Sequence, residues 1–120
     1  MVAYSFKKRF AEPILAGTKR QTIRADRRRH ARPGEEMQLY TGMRTKQCRL
    51  IARKTCLYVE HVKLSFFNSG EVTTDSLGRL VDLDAFARED GFVDWDEMHD
   101  FWRTEHDDPE TFEGVLISWA

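Results

Sequence analysis

The chain is poor in the residues that staple or segment a protein. Of its 120 residues only 2 are cysteine, 3 proline and 7 glycine. Cys48 and Cys56 lack CxxC spacing and have no neighbouring cysteine or histidine, which argues against a zinc site and reads them as reduced, strand-borne core residues. No apolar run approaches the roughly 18 residues of a membrane span, and Lys7, Lys8 and Arg9 interrupt the first ten positions. A soluble, cytoplasmic protein without membrane, metal or cofactor is therefore expected. Internal repeats, low-complexity tracts and composition breaks are also missing, so the chain reads as one domain, 1–120. A domain of this size buries roughly two thirds of the surface its unfolded chain exposes, enough to stand without a staple.

Charge is present in quantity. Lys and Arg number 19 against 20 Asp and Glu, for a net charge of -1. The balance hides an asymmetry: the first 66 residues hold 16 basic against 5 acidic side chains, and the remainder 3 against 15. The densest basic piece is Arg27-Arg28-Arg29-His30, with Arg32 just beyond. The sixteen cations, interleaved with Tyr40, Tyr58, Phe66 and Phe67, offer a surface on which nucleic-acid phosphates would settle. The same asymmetry is equally met if the two halves neutralise each other across the fold. The four histidines, at 30, 61, 99 and 106, are too scattered for a histidine nuclease and read as structural or solvated.

In chain order, a strand is expected around Tyr4–Phe6. A helix from about Arg9 to Ala16 has Phe10 and Ile14 at i,i+4, Pro13 in its first turn and Gly17 as its stop. Residues 20–25 form a second strand, and Asp26–Glu36, broken by Pro33-Gly34, an exposed loop. Met37–Thr41, Cys48–Thr55 and Leu57–Phe66 are strand-like, with a turn from Gly42 to Gln47. Asn68-Ser69-Gly70 and Ser76-Leu77-Gly78 are turns flanking a short strand pair. The period then changes. Asp82 caps a helix carrying Leu83, Phe86 and Ala87 and ending at Gly91, and Asp94 caps another, with Glu97 as reciprocal partner and Trp95, Met98, His99 and Trp102 as its core stripe. Val115, Ile117 and Trp119 alternate in a closing strand. The sum is an α+β domain: a small, mostly antiparallel barrel or curled sheet with about three short helices.

Two features carry chemistry. In Gly17-Thr18-Lys19-Arg20-Gln21-Thr22-Ile23-Arg24, strand alternation puts Thr22 and Arg24 on one face and Gln21 and Ile23 on the other. An amine, a hydroxyl and a guanidinium then share a patch suited to binding or attacking an electrophile that bears oxygens. An edge strand with solvated polar residues has the same spacing. Asp90, seven, four and three residues beyond Leu83, Phe86 and Ala87, falls on the buried face of its helix. There it requires neutrality, a cation such as Lys19 or Arg24, or a frayed helix end.

These segments, with Pro33-Gly34, Cys48 to Ala52 and Asp90-Gly91-Phe92 before an aromatic helix, resemble the ASCH family over nearly the whole chain. The resemblance implies a PUA-like β-barrel and an RNA or modified-nucleoside partner. Among ASCH proteins, small bacterial acetylcytidine amidohydrolases use a lysine and a threonine of G-x-K-x-x-T-x-R and a later glutamate. These positions carry over to Lys19, Thr22 and Asp90. Other members are associated with ribonuclease activity, and others with binding alone. On this resemblance Thr22 attacks an amide carbonyl, Lys19 takes its proton, Asp90 orients the lysine, and Arg24 holds an oxygen of the substrate, with Arg20 and Tyr40 as further substrate contacts. Arg27, Arg28, Arg29 and Arg32 hold RNA. The chain departs from the family pattern at Asp90, one methylene shorter than glutamate.

Overall fold

A computed structural model of the chain describes residues 2–120. Seven strands and three helices follow in the order β1 (Val2–Phe6), α1 (Ala11–Ala16), β2 (Gln21–Arg24), β3 (Glu36–Thr41), β4 (Arg49–Ser65), β5 (Glu71–Thr74), β6 (Gly78–Arg79), α2 (Leu83–Glu89), α3 (Trp95–Glu105) and β7 (Thr111–Trp119). A 3-10 turn, Lys8–Phe10, leads into α1. The architecture is α+β, as expected. No helix among the described residues is long and apolar enough to cross a membrane.

β4 organises the sheet. Its first half pairs with β3 and its second half with β7 and β5. The expected pair of strands, Cys48–Thr55 and Leu57–Phe66, is thus one strand of 17 residues. The seam between them is a shift of register between Cys56 and Tyr58 opposite β7, which sets Leu57 outward, 53% exposed. Cys56 is buried there, but Cys48 lies in the exposed turn before the strand, so only one of the two cysteines belongs to the core.

All strand pairs are antiparallel except β1 with β3. Among the described residues β1 pairs only with β3, and β2 only with β7. The sheet therefore stays open where a barrel would close, and the closed barrel expected for the fold is replaced by a curled sheet of seven strands. A side chain spans that gap instead of a backbone ladder: the Arg24 guanidinium of β2 donates to the Ser5 carbonyl of β1 at 2.6 Å.

The helices begin and end on local chemistry. Asp82 and Asp94 accept from the N–H groups of Ala85 and Glu97, satisfying donors that a helix start leaves open. Glu97 reaches back one residue further than a capping box requires, to the N–H of Val93. α1 and α2 both stop in Schellman turns. At Gly17 (φ +83°) the N–H of Thr18 reaches Pro13; at Gly91 (φ +96°) the N–H of Phe92 reaches Ala87. The stripe Trp95, Met98 and Trp102 of α3 is buried against Phe66.

Candidate functional site

The two Schellman turns meet. The N–H of Arg20, just past α1, donates to the carbonyl of Glu89, the last residue of α2, at 2.8 Å. That link sets Lys19 against Asp90, which caps the C-terminal end of α2. Lys19 Nζ donates to the Asp90 backbone carbonyl at 2.6 Å and lies 3.8 Å from its Oδ2. A separation of 3.8 Å is too long for a hydrogen bond, so the carbonyl holds the lysine directly and the carboxylate acts on it through space. The carboxylate takes its own hydrogen bond, at 3.3 Å, from the Gln21 amide. The expected role of Asp90 is thereby divided: its main chain positions Lys19, and its side chain is positioned by Gln21.

The cluster is dry. Lys19 is 2% exposed, Gln21 and Thr22 4% each, and Asp90 5%. The Lys19 ammonium sits over the ring of Phe10 at 4.7 Å, and Gly91 leaves room for its stem: a Cβ there would come within 2.9 Å of Lys19 Cδ. Burial pulls the Lys19 pKa from 10.5 down to about 8; Asp90 opposes the fall, and Arg24 and Arg9 deepen it. Burial also raises the Asp90 carboxyl above its ordinary value, against Lys19, the Gln21 hydrogen bond and Arg24. Burial drives each group toward its neutral form, and each partner offsets part of the other's shift.

Thr22 and Arg24 share a face of β2, as alternation requires. Arg24 Nε donates to Thr22 Oγ1 at 2.9 Å, which leaves the hydroxyl proton free to point elsewhere. Lys19, Thr22, Arg24 and Asp90 all line one hollow of about 320 Å³. It lies in the open gap between β1 and β2, and Phe6, Phe10, Trp102, His106 and Phe112 also line it. A charge-bearing floor under aromatic walls suits a small ligand that is flat and apolar at one end and oxygen-rich at the other. Among the described residues no three His, Cys, Asp or Glu side chains gather where they would hold a metal.

The other expected contacts lie elsewhere. Arg20 turns outward to Glu89 at 2.5 Å, which also holds Glu89 away from the hollow, and Tyr40 donates its hydroxyl to Gln38 on β3. Neither lines the hollow. In the arginine loop, Arg27 lies over the Tyr4 ring at 4.7 Å, and Arg29 is paired with Glu35. Arg28 and Arg32 are exposed, with no side-chain partner among the described residues. Phe66, expected on a stacking surface, is buried under α3. The charge halves do meet in part: Lys7, Arg9, Lys19 and Arg20 pair with Glu105, Glu97, Asp90 and Glu89.

Gln21 and His106 were not among the expected site residues. A glutamine alternating with Ile23 on a core-facing strand signals a buried polar partner. His106 continues the α3 stripe four residues beyond Trp102, onto the same face. Comparison with family models, curated proteins and solved structures gives no match to this chain.

Proposed function

We propose that the hollow hydrolyses an amide on a modified pyrimidine nucleoside of the acetylcytidine type, the activity implied by the resemblance to ASCH proteins and their PUA-like folds. The observation that carries this reading is a buried lysine, its pKa pulled down to about 8, sharing one small hollow with a threonine hydroxyl. A base works best when its pKa lies near the working pH, and at pH 7 about a tenth of such a lysine is the free amine.

The amine of Lys19 takes the Thr22 proton as Oγ1 attacks the acetyl carbonyl. The Arg24 hydrogen bond to Oγ1 stabilises the developing alkoxide, and the remaining guanidinium N–H groups face the oxyanion. Collapse breaks the C–N bond, and the Lys19 ammonium returns the proton to the departing exocyclic amine. Water then cleaves the acyl-threonine with Lys19 again as base, releasing acetate. The shorter reach of Asp90 is accommodated because its backbone carbonyl, not its carboxylate, holds the lysine.

Incubation with acetylcytidine should release cytidine and acetate, and Lys19→Ala or Thr22→Val should each slow the reaction by at least about a hundredfold. No product at high enzyme concentration overturns the reading. A rate that rises with pH through about 8 marks Lys19 as the base. A flat profile, with Lys19→Ala weakening binding more than turnover, would make it an electrostatic clamp.

A second reading rests on the unpartnered Arg28 and Arg32, a few residues beyond Arg24: the loop holds the phosphates of single-stranded RNA, with or without cleavage. RNA affinity should then fall with salt with a log-log slope of about 0.7 per phosphate contact. A flat response rejects it.

A further inference from the structure

One wall of the hollow is built from groups that the hydrolysis does not use. α3 ends at Glu105, and His106 stacks its imidazole on the Trp102 indole, with centroids 4.2 Å apart and planes 21° from parallel. Trp102 is 5% exposed, and Phe112 of β7 packs against it at 4.8 Å. The indole is therefore wedged in place, and the imidazole rests on a support that cannot recede. His106 itself is exposed, and it lines the hollow together with Lys19 and Thr22.

Two of the other three histidines have structural duties, and the third, His61, lies on β4 away from the hollow. His30 is bound at both ring nitrogens, by Tyr4 and by the Ala25 carbonyl, and His99 is bound to the Phe66 carbonyl. The His106 ring has no hydrogen bond among the described residues, so stacking is what orients it. Burial lowers its pKa, Glu105 opposing and Lys7 assisting, which keeps the ring neutral near pH 7. A neutral ring with one face on Trp102 has its second face available for another flat ring.

We infer that His106, backed by Trp102, is the specificity-determining residue of the hollow: its imidazole stacks on the planar heterocycle of a nucleoside. The inference rests on the nucleoside reading of the hollow, but not on amide cleavage. Stacking a base on an aromatic side chain is sequence-tolerant and is worth roughly tenfold or more in affinity. The ring would lie between the aromatic walls while its exocyclic substituent reaches the Lys19 and Thr22 floor.

The test is calorimetric titration of the full chain with cytidine and with 5,6-dihydrocytidine, whose saturated ring is puckered but whose ribose and polar groups are kept. The unaltered chain should prefer cytidine by roughly tenfold. His106→Ala, at an exposed position, should weaken cytidine by about that factor and abolish the preference. His106→Phe should restore both to within about twofold, since it keeps a flat ring and lacks the nitrogens. Preference persisting in His106→Ala, Phe failing where Ala fails, or no cytidine binding at millimolar concentration would each overturn the inference. Ring preference without acetylcytidine hydrolysis would sink the amidohydrolase reading alone.

Discussion

The cluster of Lys19, Gln21 and Asp90 and the arginine loop at 26–35 are both rich in charge, yet they treat it in opposite ways. In the cluster each charged group is nearly sealed from water, and its protonation depends on its neighbour. In the loop the arginines are solvated or paired at the surface, as Arg29 is with Glu35. Water and salt screen such pairs heavily, so the loop's charge serves attraction at a distance. The cluster's charge is few in number but strongly perturbed, and perturbed groups are where proton transfer near neutral pH becomes feasible. Density of charge along a chain and chemical capacity are separate properties here.

The sharpest way to break this contrast is to remove one cation from each region. Lys19→Met leaves a buried carboxylate without its partner and should cost about 3 to 5 kcal/mol in urea unfolding, with at least half regained in the double variant Lys19→Met/Asp90→Asn. Arg29→Ala should leave the urea midpoint where it is. Equal losses would mean that burial does not separate the two regions.

A smaller effect probes how the lysine is seated. Gly91→Ala places a side chain where φ is +96° and where a Cβ would meet Lys19 Cδ at 2.9 Å. Unfolding should become about 1 to 2 kcal/mol easier, and the displaced Lys19 should titrate closer to an ordinary lysine. An unchanged titration would show that Gly91 does not seat it.

A third contrast concerns pH, where the two regions should respond in different windows. With Nε2–H on the Ala25 carbonyl, a neutral His30 accepts at Nδ1 from Tyr4 while Tyr4 accepts from the Ala31 N–H. Its folded pKa is lowered below the usual 6.5, by burial first. Above that value neither state binds the proton and nothing is lost; as pH falls below it the unfolded chain binds first, and stability declines. The protection factor of the Ala31 amide should thus hold above about pH 6.5 and fall beneath it. For Lys19 the folded pKa of about 8 is also below the unfolded 10.5, so the unfolded chain binds more protons between these values, and stability rises with pH across that window. The rise should vanish in Lys19→Met.

Local signals in the chain were readable and nonlocal ones were not. The caps at Asp82 and Asp94, the stops at Gly17 and Gly91 and the inward face of Asp90 all depend on residues within one or two turns, and each stands where periodicity put it. The partner of Asp90 was legible only in part: its inward face left neutrality, a frayed helix end or a cation such as Lys19 or Arg24 open, and Lys19 is the group beside it. Closure of the sheet was not legible, since it depends on whether β1 and β2, distant in pairing order, find each other. The bulge that makes β4 continuous shifts the phase of alternation at Leu57 and so imitates a break. Cys48 was read as core from its neighbours' strand character, although the strand begins one residue later. His106 reads in the sequence as structural or solvated, although it continues the α3 stripe, because the helix ends one residue before it.

The central claim is that the protein keeps a lysine of near-neutral pKa in the hollow between β1 and β2. Titrating the Lys19 side-chain nitrogen by NMR tests it directly. The midpoint should fall near 8; a midpoint at the ordinary value of about 10.4 would contradict the account.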